Sequence, residues 1–120
     1  MPQDDTAPNT PPGPEVRPVG FTTKRLAAID LPAEISDFTA HVLRLSHTTI
    51  RPGGYLAMHA HIARPEIIYM LSGVLTETRA GRAVDYQAGD TLVMSNGVTH
   101  TLENRGNSEV VYLSITVRIP

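Results

Sequence analysis

His59 and His61 stand one residue apart in the run GGYLAMHAHIARPEIIYMLSG, residues 53 to 73, and Glu66 follows five residues after His61. On an extended strand, residues i and i+2 point to the same face, so both imidazoles are directed at one place while Ala60 turns away. Arg64-Pro65 precedes Glu66, and the proline biases the backbone toward an extended or turning shape. That allows the next strand to return its first carboxylate toward the pair. His100 lies in a separate strand-like segment just after Asn96-Gly97. Three imidazoles and one carboxylate make a ligand set for a divalent first-row transition metal. Taken singly, each residue has a plainer reading. A lone strand histidine such as His41 or His47 is usually a surface or satisfied core residue, and a lone Glu66 would be a solvated strand-end carboxylate.

The elements that must position these residues are short strands. Val42 to Ile50 is rich in β-formers and meets Pro52-Gly53-Gly54, a turn signal expected to stop it. EIIYMLS, from Glu66 to Ser72, is apolar on both faces, as a central or doubly covered strand would be. Val74 to Thr78 leads into Arg79-Ala80-Gly81-Arg82, a tight hairpin. Thr91 to Met94 follows Gly89-Asp90, and Val98 to Glu103 follows Asn96-Gly97. In the last strand Val111, Leu113, Ile115, Val117 and Ile119 alternate with Tyr112, Ser114, Thr116 and Arg118, a period of 2 with one buried face. The single helical hint is a turn near Leu31 to Phe38, where Pro32 suits a helix start. The pattern predicts an all-β sandwich or barrel.

Composition bounds the rest. The chain of 120 residues suffices for one domain with its own core. A net charge of −2, with 10 Lys and Arg against 12 Asp and Glu, removes the electrostatic case for nucleic acid. With no cysteine, neither a disulfide framework nor a thiolate metal site is available. No apolar run reaches the roughly 20 residues a membrane helix needs. The start lacks a basic stretch followed by an apolar one, so a cytoplasmic protein is expected, although a mature periplasmic or secreted chain would look the same. Residues 1–18 hold six of the ten prolines and are expected to form a disordered tail, leaving 19–120 as the folded domain.

The run Gly53-x5-His59-x-His61-x4-Glu66-x6-Gly73 resembles the first motif of the cupin superfamily position for position. Gly89-x5-Ser95-x-Gly97-x2-His100-x3-Asn104 resembles the second, with Ser95 where the family usually has proline. Serine before Asn96-Gly97 can make the same turn, since Asn and Gly both tolerate positive φ. The resemblance implies a single-domain jelly-roll barrel, the double-stranded β-helix, with one metal held by His59, His61, Glu66 and His100. Iron, manganese, nickel, zinc or copper would all suit such a site, and cellular supply decides among them. A homodimer is expected by the same resemblance, with EIIYMLS offering one face to a partner subunit.

Such a metal supports oxygenation if redox-active, and isomerase or lyase chemistry otherwise. A metal-dependent enzyme of dioxygenase type, acting on a small oxygenated organic molecule, is the leading expectation. A non-catalytic barrel that binds a sugar or other metabolite is the alternative, and a four-coordinate structural zinc a third. Met70 shares strand parity with Glu66, and Leu102 with His100, so the cavity is expected to be largely apolar. Tyr55, Tyr69 and Arg64 are candidates for a catalytic role, though a strand tyrosine more often packs. Arg44 and Arg64 could fix an anionic substrate, though a solvated arginine is the commoner finding.

Overall fold

The computed structural model describes residues 16–120, so all but the last three residues of the expected tail lie outside the described residues. From Val19 the chain is almost entirely strand. The elements are β1 (Val19–Asp30), α1 (Leu31–Glu34), β2 (Val42–Ala60), β3 (Glu66–Ser72), β4 (Leu75–Arg79), β5 (Arg82–Tyr86), β6 (Thr91–Met94), β7 (Thr99–Glu103) and β8 (Val110–Arg118). The sheet runs β5-β4-β7-β2-β8-β3-β6, with β1 added along β2, and curls into a nearly closed jelly-roll barrel. Every strand pair is antiparallel. The expected all-β barrel is what the chain forms. The helical hint is one turn, closed by the Ile35 N–H on the Leu31 carbonyl at 2.9 Å.

The expected stop at Pro52-Gly53-Gly54 is instead a corner. β2 continues through it for 19 residues and changes partner. From Val42↔Arg118 to Ile50↔Val110 it pairs with β8; from Tyr55↔Glu103 to Ala60↔Thr99 it pairs with β7. Gly53 takes φ +82, and at Gly54 a Cβ would lie 2.6 Å from Ile50 Cγ2 and 2.9 Å from the Val19 carbonyl. Only glycine lets the backbones approach that closely. Asn104 clamps the corner from the opposite strand: its amide donates to the carbonyls of Ile50 and Ser108, each at 2.9 Å. The Asn104 backbone also exchanges 2.9 Å hydrogen bonds with Gly53 and Gly54.

The expected hairpin is present. Arg79 pairs with Arg82 across Ala80-Gly81, both at positive φ (+48 and +77), as a two-residue turn matched to strand twist requires.

The core lies between the sheet faces and includes Ile50, Ile68, Met70, Leu75, Leu92 and Val110. Burying each such side chain contributes about 1.5–3 kcal/mol relative to leaving it exposed. On β8 the buried face is that of Val110, Tyr112, Ser114 and Thr116, whereas Ile115 is 47% exposed. On β3 the buried residues are Ile68 and Met70, and Ile67, Tyr69 and Leu71 face outward. At the mouth end, β8 therefore turns hydroxyls inward and aliphatic side chains outward.

Candidate metal centre

His59 is carried near the end of β2, directly opposite His100 on β7. Between Leu56↔Leu102 and His59↔His100, β2 spends one residue more than β7, a β-bulge. A bulge shifts side-chain parity and leaves a backbone group free of the ladder. Here Leu56 and His59 both reach the same cavity, and the Ala57 carbonyl accepts the His59 Nδ1–H at 2.9 Å. His61 lies just past the strand, held by its N–H on the Val98 carbonyl (2.8 Å) and its carbonyl on the Gly97 N–H (2.7 Å). Its Nδ1–H donates to the Arg64 carbonyl at 3.1 Å. The Nδ1–H of buried His100 donates to Glu77 Oε2 at 2.5 Å.

A carbonyl or carboxylate oxygen can only accept, so these three bonds place the proton of each ring on Nδ1 and leave a lone pair on Nε2. The three Nε2 atoms converge. His100 Nε2 lies 3.1 Å from His61 Nε2 and 3.1 Å from His59 Nε2. Between rings that both lack a proton on Nε2, such a separation is a meeting of two lone pairs and not a hydrogen bond. A cation among them would resolve it: two nitrogens ~2.1 Å from one ion, at roughly a right angle, are about 3 Å apart. Protons are a poor substitute. Burial lowers the pKa of all three histidines, and in His61 burial, together with the Arg64 cation, brings it to about 4. Glu77 pushes His100 back upward, but burial prevails. The three histidines thus form a group that could hold a metal ion.

Glu66, at the start of β3, borders the same cavity as His59 and His61. Its Oε1 is 4.0 Å from His61 Nδ1, beside the protonated edge of that ring and apart from the three converging Nε2 atoms. Burial raises its pKa, opposed by Arg64, by a hydrogen bond from Ser114, and by Arg118 and Arg44. Arg64 borders the cavity as well. Tyr55 and Tyr69, each 46% exposed, are placed away from it.

The sequence reading missed Glu77. This carboxylate is 2% exposed on β4, paired with Leu102 and so two residues along β7 from His100. It also accepts from Arg79 Nε at 2.7 Å. The signal available beforehand was a charged residue between threonines in a strand, TETR, where burial demands a partner.

The cavity measures about 590 Å³. The expectation of a largely apolar wall is corrected. Leu102, Leu56 and Met94 do line it, but so do Arg44, Ser46, Thr48, Ser114, Thr116 and Arg118, while Met70 is sealed in the core. Part of the cause is β8, whose inward positions toward its end are Ser114 and Thr116, and part is β2, which supplies Arg44, Ser46 and Thr48.

A nearly closed antiparallel barrel with a histidine cluster at its cavity defines the class, and sequence comparison gives the family. The family model Cupin_2, described as "Cupin domain", matches residues 46–116, and the chain belongs to that family. It is 32% identical over 66 residues to the oxalate-binding protein of Thermotoga maritima, covering 55% of this chain and 54% of that one. It is 30% identical over 63 residues to the tetracenomycin polyketide synthase protein TcmJ of Streptomyces glaucescens, covering 52% of this chain and 42% of that one. These matches span about half the length of the relatives, or less. Among solved structures, KdgF from Halomonas sp. shares the fold at TM-score 0.67 and 16% identity, covering 84% of this chain and 81% of that one.

Proposed function

We propose that this chain is a small metal-dependent cupin enzyme acting on a small oxygenated organic molecule, with dioxygenase chemistry ahead of isomerase or lyase chemistry. The observation that carries the reading is the convergence of three unprotonated Nε2 atoms, two of whose rings border a cavity large enough for such a molecule. His59, His61 and His100 are the proposed ligands, each aimed by its Nδ1–H bond, and Glu66, at the Nδ1 edge of His61, is the proposed fourth. A divalent first-row metal bound there would supply Lewis acidity and, if redox-active, a route for dioxygen. The chain's own part is to hold the ligand lone pairs ready, to exclude bulk water with Leu56, Met94 and Leu102, and to orient the substrate through the polar wall. The relative named an oxalate-binding protein favours a second reading, a barrel that holds a small metabolite without turning it over.

Metal analysis of the wild-type protein and of His61→Ala is the first test. Stoichiometric tight metal is expected in the former and its loss in the latter; full retention in His61→Ala overturns the ligand assignment. Oxygen uptake with a diphenol and flavonol panel, after loading with iron, manganese, nickel or copper, is the second. Ring or C–C cleavage with both oxygen atoms in the product supports the dioxygenase reading. Turnover without uptake points to isomerase or lyase chemistry, and tight binding without turnover to the non-catalytic reading.

A homodimer is part of the proposal. Leu45, Ile115, Ile67 and Val93 follow one another across β2, β8, β3 and β6, and the last three are 47–52% exposed. A second copy of the chain would cover this strip.

A further inference from the structure

Three strands bring Arg44, Thr116 and Glu66 into one row across the inner wall. Thr116 of β8 is paired with Arg44 of β2 on one side and with Glu66 of β3 on the other. Directly opposed residues of an antiparallel pair have Cβ atoms about 4.5–5.5 Å apart, so the three side chains are immediate neighbours. All three border the cavity that His59 and His61 also border. Thr116 is 6% exposed, and its Oγ1 has no hydrogen-bond partner among the described residues. Arg44 Nε is likewise buried without a partner. Nearly all buried polar atoms in folded proteins are satisfied, and an unmet one costs about 1–3 kcal/mol, more when charged. Two such atoms on directly paired residues that line one cavity, one a cationic N–H and the other a hydroxyl, suit an acceptor with two oxygens.

The surrounding charge has the matching sign. Arg44, Arg64 and Arg118 border the cavity against one carboxylate, Glu66. Burial lowers the pKa of Arg44, as do the charges of Arg25 and Arg64, while Glu66 pulls it back upward. An anion at Arg44 relieves both the desolvation of the guanidinium and the repulsion among the arginines. A carboxylate fits best, because its two oxygens can take the Nε–H and the Thr116 O–H together.

We propose that Arg44 Nε and Thr116 Oγ1 anchor a carboxylate of the substrate, which is therefore a small organic acid whose second functional group faces the histidines. The orientation rests on the metal reading above; the anchor does not. The neighbouring hydroxyls of Ser46 and Ser114, paired with one another one step along the same strands, give that second group polar company on its way across the cavity.

Calorimetry on the full chain, metal-free and metal-loaded, with succinate, succinamate and succinamide as probes, tests it. The two acids are expected to bind the metal-free protein, and the uncharged diamide at least about 10-fold more weakly. Arg44→Gln should weaken the acids by about 10- to 100-fold and leave the diamide unchanged, the range expected for one charge-assisted hydrogen bond. Thr116→Val keeps the side-chain shape and should weaken the acids severalfold, which serves if Arg44→Gln melts early. Equal binding of acids and diamide overturns the anchor, as does acid affinity that survives both substitutions. Metal stoichiometry measured on the same samples keeps the readings apart. If the histidines hold no metal but acid binding still needs Arg44, the metal reading falls and the anchor stands.

Discussion

A histidine whose Nδ1 proton is held by an oxygen has one lone pair left to offer, and here three rings in that state face each other. Two of the holding oxygens belong to the backbone, so substitution cannot remove them. The third belongs to Glu77, and the role of this carboxylate can be measured. Glu77→Gln keeps an acceptor for the His100 Nδ1–H but loses the charge that makes the ring a better donor. Metal affinity is expected to fall about 10-fold or more with stoichiometry retained at saturation, by competition against a chelator. Unchanged affinity would show that the charge of Glu77 has no part in tuning His100. The grouping of His59, His61 and His100 was legible in the sequence because strand parity and local turns encode it. Glu77 was not, since its relation to His100 exists only through the pairing of β4 with β7. The turning-out of Tyr55 and Tyr69 was hidden for a similar reason: which face of a strand is inner depends on neighbours the sequence does not order.

At the level of elements, β2 and β8 depart most from what alternation suggests. The period of 2 in β8 was correctly legible, yet beyond Val110 its aliphatic residues are on the outer face and its hydroxyls on the inner one. Hydrophobic patterning tells that a strand has two faces, and a barrel with a polar cavity reverses which one is enclosed. Pro52-Gly53-Gly54 misled in the same way, as the residues that end a strand are also those that let one bend. The glycine after β3 can be tested. Gly73 takes φ +78, and a Cβ there would lie 2.3 Å from the Glu109 carbonyl oxygen, so neither conformation nor space admits a side chain. Gly73→Ala is expected to destabilise the fold by at least about 2 kcal/mol, read from denaturant midpoints. The substitution is remote from the histidines in chain contacts, so metal binding by the fraction still folded should be retained.

For the whole molecule, the exposed strip Ile67, Val93 and Ile115 sets the assembly prediction. Ile115→Glu places a charge within it and should convert a dimer in sedimentation analysis to a monomer, with metal stoichiometry unchanged. A wild-type protein that sediments as a monomer at high concentration removes the proposed interface. The barrel class was readable from turn spacing and motif, whereas the pairing of β2 with β7 that brings the histidines together was not. That pairing has a kinetic side. His59 and His100 are 41 positions apart, and His61 and His100 are 39 apart. No short fragment holds the three together, and the loops between them must be closed before any ion is gripped. Chains dominated by such distant pairings fold in milliseconds to seconds. Metal uptake therefore waits on the barrel, and its rate after dilution from denaturant becomes a clock for the step at which β2 finds β7.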